Sequence, residues 1–264
     1  MSGTQVIIMG AGGRMGSTLM RLAREDRDLK LVGAVERGER LEGLQAGDIT
    51  ADSDPQAVFS AHPGAVVVDF SHPQATVETV RVAEENGNPM VIGTTGFDQA
   101  QNETLQEASV RIPLFMAPNM SVGINVLLEF LPKLAELLGP DYDIEISEIH
   151  HKHKKDAPSG TAVKLGQSLA ELRGWDEDSL RYARQGMIGE RPEEEIGVQT
   201  LRGGDVVGEH TVYFMGPGER IDLTHRVYSR DTFAQGALRA AKWLSGKNAG
   251  GIYSMPHIFA DLMG

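Results

Sequence analysis

The chain has 264 residues, 41% of them hydrophobic, carries a formal net charge of -12 and contains no cysteine; that length supplies core for one large or two ordinary domains. The acidic balance argues against a broad nucleic-acid surface or attraction to anionic lipid, both of which need positive fields, and the lack of cysteine excludes disulfides, thiolate nucleophiles and Cys-ligated metal. Residues 1–16 lack the pattern of a signal peptide and no apolar run reaches membrane-spanning length, so a soluble cytoplasmic protein with neither nucleic acid nor membrane as partner is expected.

Residues 5–9 are a short continuous apolar run, as expected of a strand buried on both faces of a parallel sheet. Directly after it, Gly10-Ala11-Gly12-Gly13-Arg14-Met15-Gly16 spells G-x-G-x-x-G, and Leu19, Leu22 and Ala23 follow at helical spacing. In the dinucleotide-binding fold the first glycine makes the tight turn, the next admits the pyrophosphate to the backbone, and the last permits close helix packing. Such a match alone is weak. Here a strand and a helix flank it, and a second apolar run over 29–35 ends at Glu36, where the fold places the acid that holds the adenosine ribose hydroxyls. Glu36 alone favours NAD, whereas the adjacent Arg37 guanidinium can hold a 2′-phosphate, so the pair predicts tolerance of both NADH and NADPH.

Strands are predicted over 65–69, 89–92 and 112–116 and helices over 73–85 and 98–108. Repeated βα units imply a parallel sheet, whose ligands sit beyond the carboxyl ends of the strands. Those ends carry Phe70-Ser71-His72, Gly93-Thr94-Thr95-Gly96-Phe97 and Ala117-Pro118-Asn119-Met120, which together read as a cofactor rim. Past residue 121 the pattern changes. Ile124, Leu127, Leu128, Leu131, Leu134 and Leu138 mark one helix face, with Pro132 predicting a kink or break. A strand is expected over 142–149, a long loop over 173–195, a strand over 196–202, and a hairpin of 206–215 and 220–228 around Gly216-Pro217-Gly218. Helices over 233–244 and within 253–263 close the chain. Packed back on the first domain, they would make the second an insertion: residues 1–120 with 230–264, and residues 121–229, with hinges near Ser121 and Ser229.

The stretch most in need of explanation runs from Glu148 to Ala162, because His150 to Lys155 are all His or Lys in an acidic protein. A solvated charged face is one account, and a Lys154–Asp156 salt bridge is another for Lys154. Against both, Ser159 stands as an N-cap before Ala162, Leu165, Leu169 and Leu172, so the unpaired N–H groups of a helix start lie beside a cationic run. That convergence suits a small dicarboxylate. Metal binding is not expected, since the adjacent lysines repel cations and no Cys or carboxylate completes a ligand set.

Taken together, these motifs resemble the dihydrodipicolinate reductase (4-hydroxy-tetrahydrodipicolinate reductase) family of the diaminopimelate route to lysine. The family pattern E-x-H-H-x-x-K-x-D-A-P-S-G-T-A is met at every fixed position from Glu148 to Ala162. G-A-G-G-R-M-G is met from Gly10 to Gly16, G-T-T-G-F from Gly93 to Phe97, S-V-G-x-N from Ser121 to Asn125 and G-D-x-V-G-E-H-T from Gly204 to Thr211. The resemblance implies an α/β fold: a Rossmann-like parallel-sheet dinucleotide-binding domain with an inserted α+β domain for substrate and oligomerisation. It further implies a homotetramer using NADH or NADPH. Cofactor contacts would fall on Gly10, Ala11, Gly12, Gly13, Arg14, Met15, Glu36, Arg37, Gly93, Thr94, Thr95, Ala117, Pro118, Asn119 and Met120. His150 and Lys154 would be catalytic, and His151, Ser159, Gly160 and Thr161 would bind substrate. One departure is His72, where relatives often carry Arg. Neighbouring lysines should disfavour the His150 imidazolium in the free enzyme, and a bound dianion should favour it. A sugar or amino-acid dehydrogenase and a non-catalytic cofactor-sensing regulator are the rival readings.

Overall fold

Short runs of β-branched and aliphatic residues set the first sheet. The computed structural model, which describes residues 3–44 and 47–263, has β1 (Thr4–Met9), α1 (Arg14–Glu25), β2 (Leu29–Val35), α2 (Glu39–Glu42), β3 (Thr50–Asp52), α3 (Pro55–Ala61), β4 (Val66–Asp69), α4 (Pro73–Asn86), β5 (Met90–Ile92), α5 (Gln99–Ser109) and β6 (Leu114–Met116) in order. Next come α6 (Val122–Leu138), β7 (Asp143–His150), α7 (Gly160–Arg173), β8 (Leu180–Arg181), β9 (Ile196–Arg202), β10 (Gly208–Gly216) and β11 (Glu219–Val227); α8 (Asp231–Leu244), β12 (Ile252–Tyr253) and α9 (Met255–Met263) end the chain. Contacts divide it into two units, with the boundaries between Val122 and Gly123 and between Arg230 and Asp231.

The first unit is a seven-stranded sheet in the order β12-β6-β5-β4-β1-β2-β3, and every pairing in it is parallel. It is Rossmann-like. The chain reverses direction of growth between β4 and β2 on either side of β1, and such a switch point leaves a crevice at the strand ends. Helices cover both faces. On one side Leu19, Met20 and Ala23 of α1 pack with Ala237, Leu238, Ala241 and Leu244 of α8; on the other, Val58, Phe59, Val80 and Leu105 meet the opposite side chains of the strands. Fully apolar strands such as Val66-Val67-Val68 are what burial on two faces requires.

The second unit holds a mixed sheet, β11-β10-β7-β9-β8. In β7 residues alternate in burial, so Ile144 and Ile146 join Leu165, Leu169, Val198, Val212 and Phe214 in a separate core. Two expectations sharpen here. Of the kink or break expected at Pro132 there is no break, since the helix over 122–138 continues through it. The supposed loop over 173–195 contains a 3-10 turn at Glu177–Ser179 and β8, which pairs parallel to β9. Its order comes from ion pairs rather than periodic burial: Arg184 bonds Glu145 and Glu195, and Arg191 bonds Asp143 and Glu145. The elements α2, α3, β3 and β12 are too short to show a period in the sequence.

Candidate active site

At the end of β1 the chain turns at Gly10, whose φ of 62° is left-handed and open to glycine at little cost. Gly13 N–H closes the turn on the Gly10 carbonyl at 2.9 Å. A Cβ on Gly16 would overlap that same carbonyl, so α1 can lie this close to β1 only with glycine there. Gly12 donates its N–H to Glu36 Oε2 at 2.8 Å, and Arg37 N–H donates to Glu36 Oε1 at 2.8 Å. The acid is therefore fixed against the glycine loop. Glu36 is buried, whereas the Arg14 and Arg37 side chains are exposed. Gly10, Gly13, Glu36 and Arg37 line one cleft with Arg40, Phe70 and His72, about 460 Å³ in volume, within the range of small-ligand sites.

The remaining rim residues divide by exposure. Gly93 is bare because a Cβ would overlap the Phe70 ring. Thr94 is buried and accepts from Thr76 Oγ1 at 3.0 Å, while Thr95 is exposed. Ala11, Ala117 and Met120 are buried, Met15 packs against the core beneath the loop, and Pro118 is exposed. Asn119 Oδ1 accepts from Ser121 N–H at 2.9 Å. His72 caps α4, its Nδ1 accepting from Ala75 N–H at 3.4 Å.

Strand register builds the second cluster. Because side chains alternate along β7, Glu148 and His150 fall on the same buried face as Ile144 and Ile146. Across the ladder Glu148 stands opposite Thr200 and His210, and His150 stands opposite Arg202. Glu148 is fully buried and fully engaged. It accepts from His150 Nδ1 at 2.6 Å, from both Arg202 nitrogens at 2.7 and 2.8 Å, from Thr200 Oγ1 at 3.2 Å and from Ser159 N–H at 3.0 Å. Burial would raise its pKa, but Arg202, His150 and Ser159 N–H outweigh that and bring it down to about 2. His150 is held below its ordinary value, first by burial, against the pull of Glu148, with Lys154 and Arg202 adding to the depression. Desolvation thus leads, and the neighbouring cations come second. His210, edge-on to His150 at 5.2 Å between ring centres, is pushed down to about 3 by burial and then by His150.

Ser159 caps α7 as expected, accepting from Ala162 N–H at 3.1 Å, and its Oγ lies 2.8 Å from His210 Nε2. With its own N–H on Glu148, Ser159 faces inward. Gly160 is exposed and Thr161 half-buried at the same helix start. Lys154 pairs with Asp156 at 2.9 Å. His151 is half-buried, with its ring 6.2 Å from that of His153. The sequence motifs include Glu148 and His210 without assigning either a role, and Thr200 and Arg202 stand outside every motif. Period-two burial along 144–150 was a usable signal for Glu148; Arg202 and His210 needed the register. Among the described residues no group of three or more His, Cys, Asp or Glu is placed to hold a metal, and no helix is long and apolar enough to cross a membrane.

Two family models cover almost the whole chain: "Dihydrodipicolinate reductase, N-terminus" over residues 4–120 and "Dihydrodipicolinate reductase, C-terminus" over residues 123–259. The chain belongs to the dihydrodipicolinate reductase family. Among its relatives, the 4-hydroxy-tetrahydrodipicolinate reductase of Nitratidesulfovibrio vulgaris (strain DP4) is 55% identical over 257 residues, 97% of this chain and 99% of that one. That of Anaeromyxobacter dehalogenans (strain 2CP-C) is 49% identical over 270 residues, 99% of this chain and 98% of that one. A dipicolinate-bound dihydrodipicolinate reductase from Paenisporosarcina sp. TG-14 has the same fold, with a TM-score of 0.79 at 24% identity over 96% of this chain and 97% of that one.

Proposed function

We propose that this member of the family reduces 4-hydroxy-tetrahydrodipicolinate, by way of its cyclic imine dicarboxylate, to tetrahydrodipicolinate in the diaminopimelate route to lysine, with a nicotinamide dinucleotide as reductant. Membership in a family named for that reaction carries the activity. The observation that carries the site is the convergence of an imidazole, a lysine and a helix start at the carboxyl end of β7, the central strand of the second unit's sheet.

The glycine loop fits the dinucleotide. No side chain caps the start of α1, so its first-turn N–H groups are available to a pyrophosphate, Glu36 presents a fixed carboxylate to ribose hydroxyls, and the cleft beside them is lined by Arg37, Arg40 and His72. The residues holding it would be Gly10, Ala11, Gly12, Gly13, Arg14, Met15, Glu36 and Arg37, with Gly93, Thr94, Thr95, Ala117, Pro118, Asn119 and Met120 along the rim. When bound in reduced form, the cofactor supplies the hydride. The protein binds the acid substrate and moves the proton. Lys154 and His151 meet carboxylate oxygens as charge-assisted donors, with the Gly160 and Thr161 N–H groups at the start of α7. His150 donates the proton from Nε2, and Lys154 stands as a second donor. Since the hydroxyl and N–H of Ser159 are taken inside the protein, we place it as the cap that orients the helix start.

Arg37 has no ion-pair partner among the described residues, so its guanidinium is free for a 2′-phosphate, and both NADH and NADPH serve. Arg37→Ala should lower kcat/KM with NADPH by about tenfold and leave NADH within about twofold; matched kinetics with the two cofactors read this, and an unchanged preference would refute it. The assembly is a homotetramer and the compartment the cytoplasm, as the family resemblance implies. The activity is tested by supplying aspartate semialdehyde, pyruvate and the upstream synthase and following NADH oxidation. Oxidation that depends on this protein is expected, and its absence would overturn the assignment.

A further inference from the structure

We propose that Glu148 is the positioning residue for the proton donor: clamped by Arg202, it fixes the tautomer of His150 and aims Nε2 at the substrate. The inference rests on the reading of His150 as that donor. Glu148 Oε2 lies 2.6 Å from His150 Nδ1. An ionised carboxylate can only accept, so the proton between them sits on Nδ1. Neutral His150 is therefore the Nδ1–H form, and Nε2 is the atom that takes up and gives away the working proton.

The surroundings enforce this choice. Glu148 cannot turn away, because Oε1 accepts from Ser159 N–H, Thr200 Oγ1 and Arg202, and Oε2 from the other Arg202 nitrogen. Nε2 is kept clear by a missing side chain, since a Cβ on Gly208 would come within 3.0 Å of it. The charged and titratable groups around the imidazole are Glu148 on its own strand, Arg202 on β9, His210 on β10 with His225 of β11 behind it, and Lys154 with its partner Asp156 in the following loop. Glu148 alone of these both touches the ring and favours its cation. In turnover the imidazolium loses its Nε2 proton to the substrate and is left as the neutral Nδ1–H ring, which solvent reprotonates. The Nδ1 proton stays where it is, and Glu148 is never protonated.

Glu148→Gln tests this. An amide oxygen in the Oε1 position would keep Ser159 N–H, Thr200 Oγ1 and one Arg202 nitrogen and give up the other, which places the NH2 group against Nδ1. That arrangement reverses the tautomer to Nε2–H and disfavours the imidazolium. A general acid works in its protonated form, so a lower pKa moves the high-pH fall in kcat to lower pH. Expected are a kcat loss of about 10²-fold with substrate KM within about threefold, a downward shift of that limb by about one pH unit, and 15N signals of His150 that change from the Nδ1–H to the Nε2–H pattern. Glu148→Asp, still an anion, should keep the wild-type tautomer and limb while losing part of kcat. A Glu148→Gln enzyme with wild-type tautomer and limb, or a Glu148→Asp enzyme displaced like the amide, would reduce Glu148 to a structural acid and overturn the proposal. The underlying reading fails separately: His150→Gln with turnover intact would remove the donor and leave the tautomer measurement standing.

Discussion

Lys154→Met should lower kcat/KM by about 10³-fold, because under the proposed mechanism one change removes both a carboxylate anchor and a proton donor, while NADH affinity stays the same. The lysine lies in the second unit, on the segment that follows β7, whereas the glycine loop and Glu36 belong to the first. The proposed cofactor and proton-transfer roles therefore rest on different units, and the variant tests one without the other. In the structure Lys154 is paired with Asp156 at 2.9 Å, and the aspartate of that pair is largely solvent-exposed. With the Asp156 side open to water the pair is screened and is worth on the order of 1 kcal/mol, so a substrate carboxylate can compete for the lysine. Methionine keeps the length and loses the charge. NADH titration by fluorescence alongside steady-state kinetics reads both halves, and turnover retained within about threefold would show that the Asp156 pairing is the whole role of Lys154.

Gly16→Ala should be the most damaging change in the glycine loop. The added Cβ would overlap the Gly10 carbonyl oxygen and press on Ala11 Cα, which are backbone atoms that no rotamer change can move. Helix α1 would have to lift from β1, and its buried Leu19, Met20 and Ala23 would lose contact with the core shared with α8. A loss of about 3 kcal/mol is expected, the upper range for overpacking, with NADH affinity falling as the loop shifts. Ser17→Ala, one residue further along the helix and exposed, is the control and should do neither. Chemical denaturation with NADH titration measures the two effects. Wild-type stability in Gly16→Ala would mean that the close helix–strand approach does not constrain this position.

Local pattern and long-range register explain what could be read in advance. Most of the first sheet is legible in the sequence because β1, β2, β4, β5 and β6 are bounded apolar runs, whereas β3, Thr50-Ala51-Asp52, and the two-residue β12 carry no such pattern. Glu36 was found because its distance from Gly16 is set by a fixed strand and helix length. The proposed catalytic segment is legible as far as one stretch of chain can show it: Ser159 as cap, and His150 at a strand end. What holds His150 was not, since Arg202 and His210 come from β9 and β10, more than fifty residues away, and only the register aligns them. Spacing also could not show that Ser159 turns inward, because its partners are Glu148 and His210. The order of the 173–195 segment is hidden from the sequence for a related reason. Arg184 and Arg191 organise it through Glu145 and Asp143 on another strand, and ion pairs leave no period in the sequence.

The central claim is that the segment from Glu148 to Ala162 receives a dicarboxylate and protonates it through His150. Burial, then Lys154 and Arg202, keep the imidazole below its ordinary pKa in the free protein. A dianion placed beside Lys154 and the start of α7 cancels that positive field, so the bound state should hold the Nε2 proton to higher pH and binding should take up a proton. Titration of 15N-labelled His150 with and without dipicolinate measures this directly. An upward shift of about one pH unit or more on binding is the predicted result; an identical midpoint in the free and bound protein would contradict it.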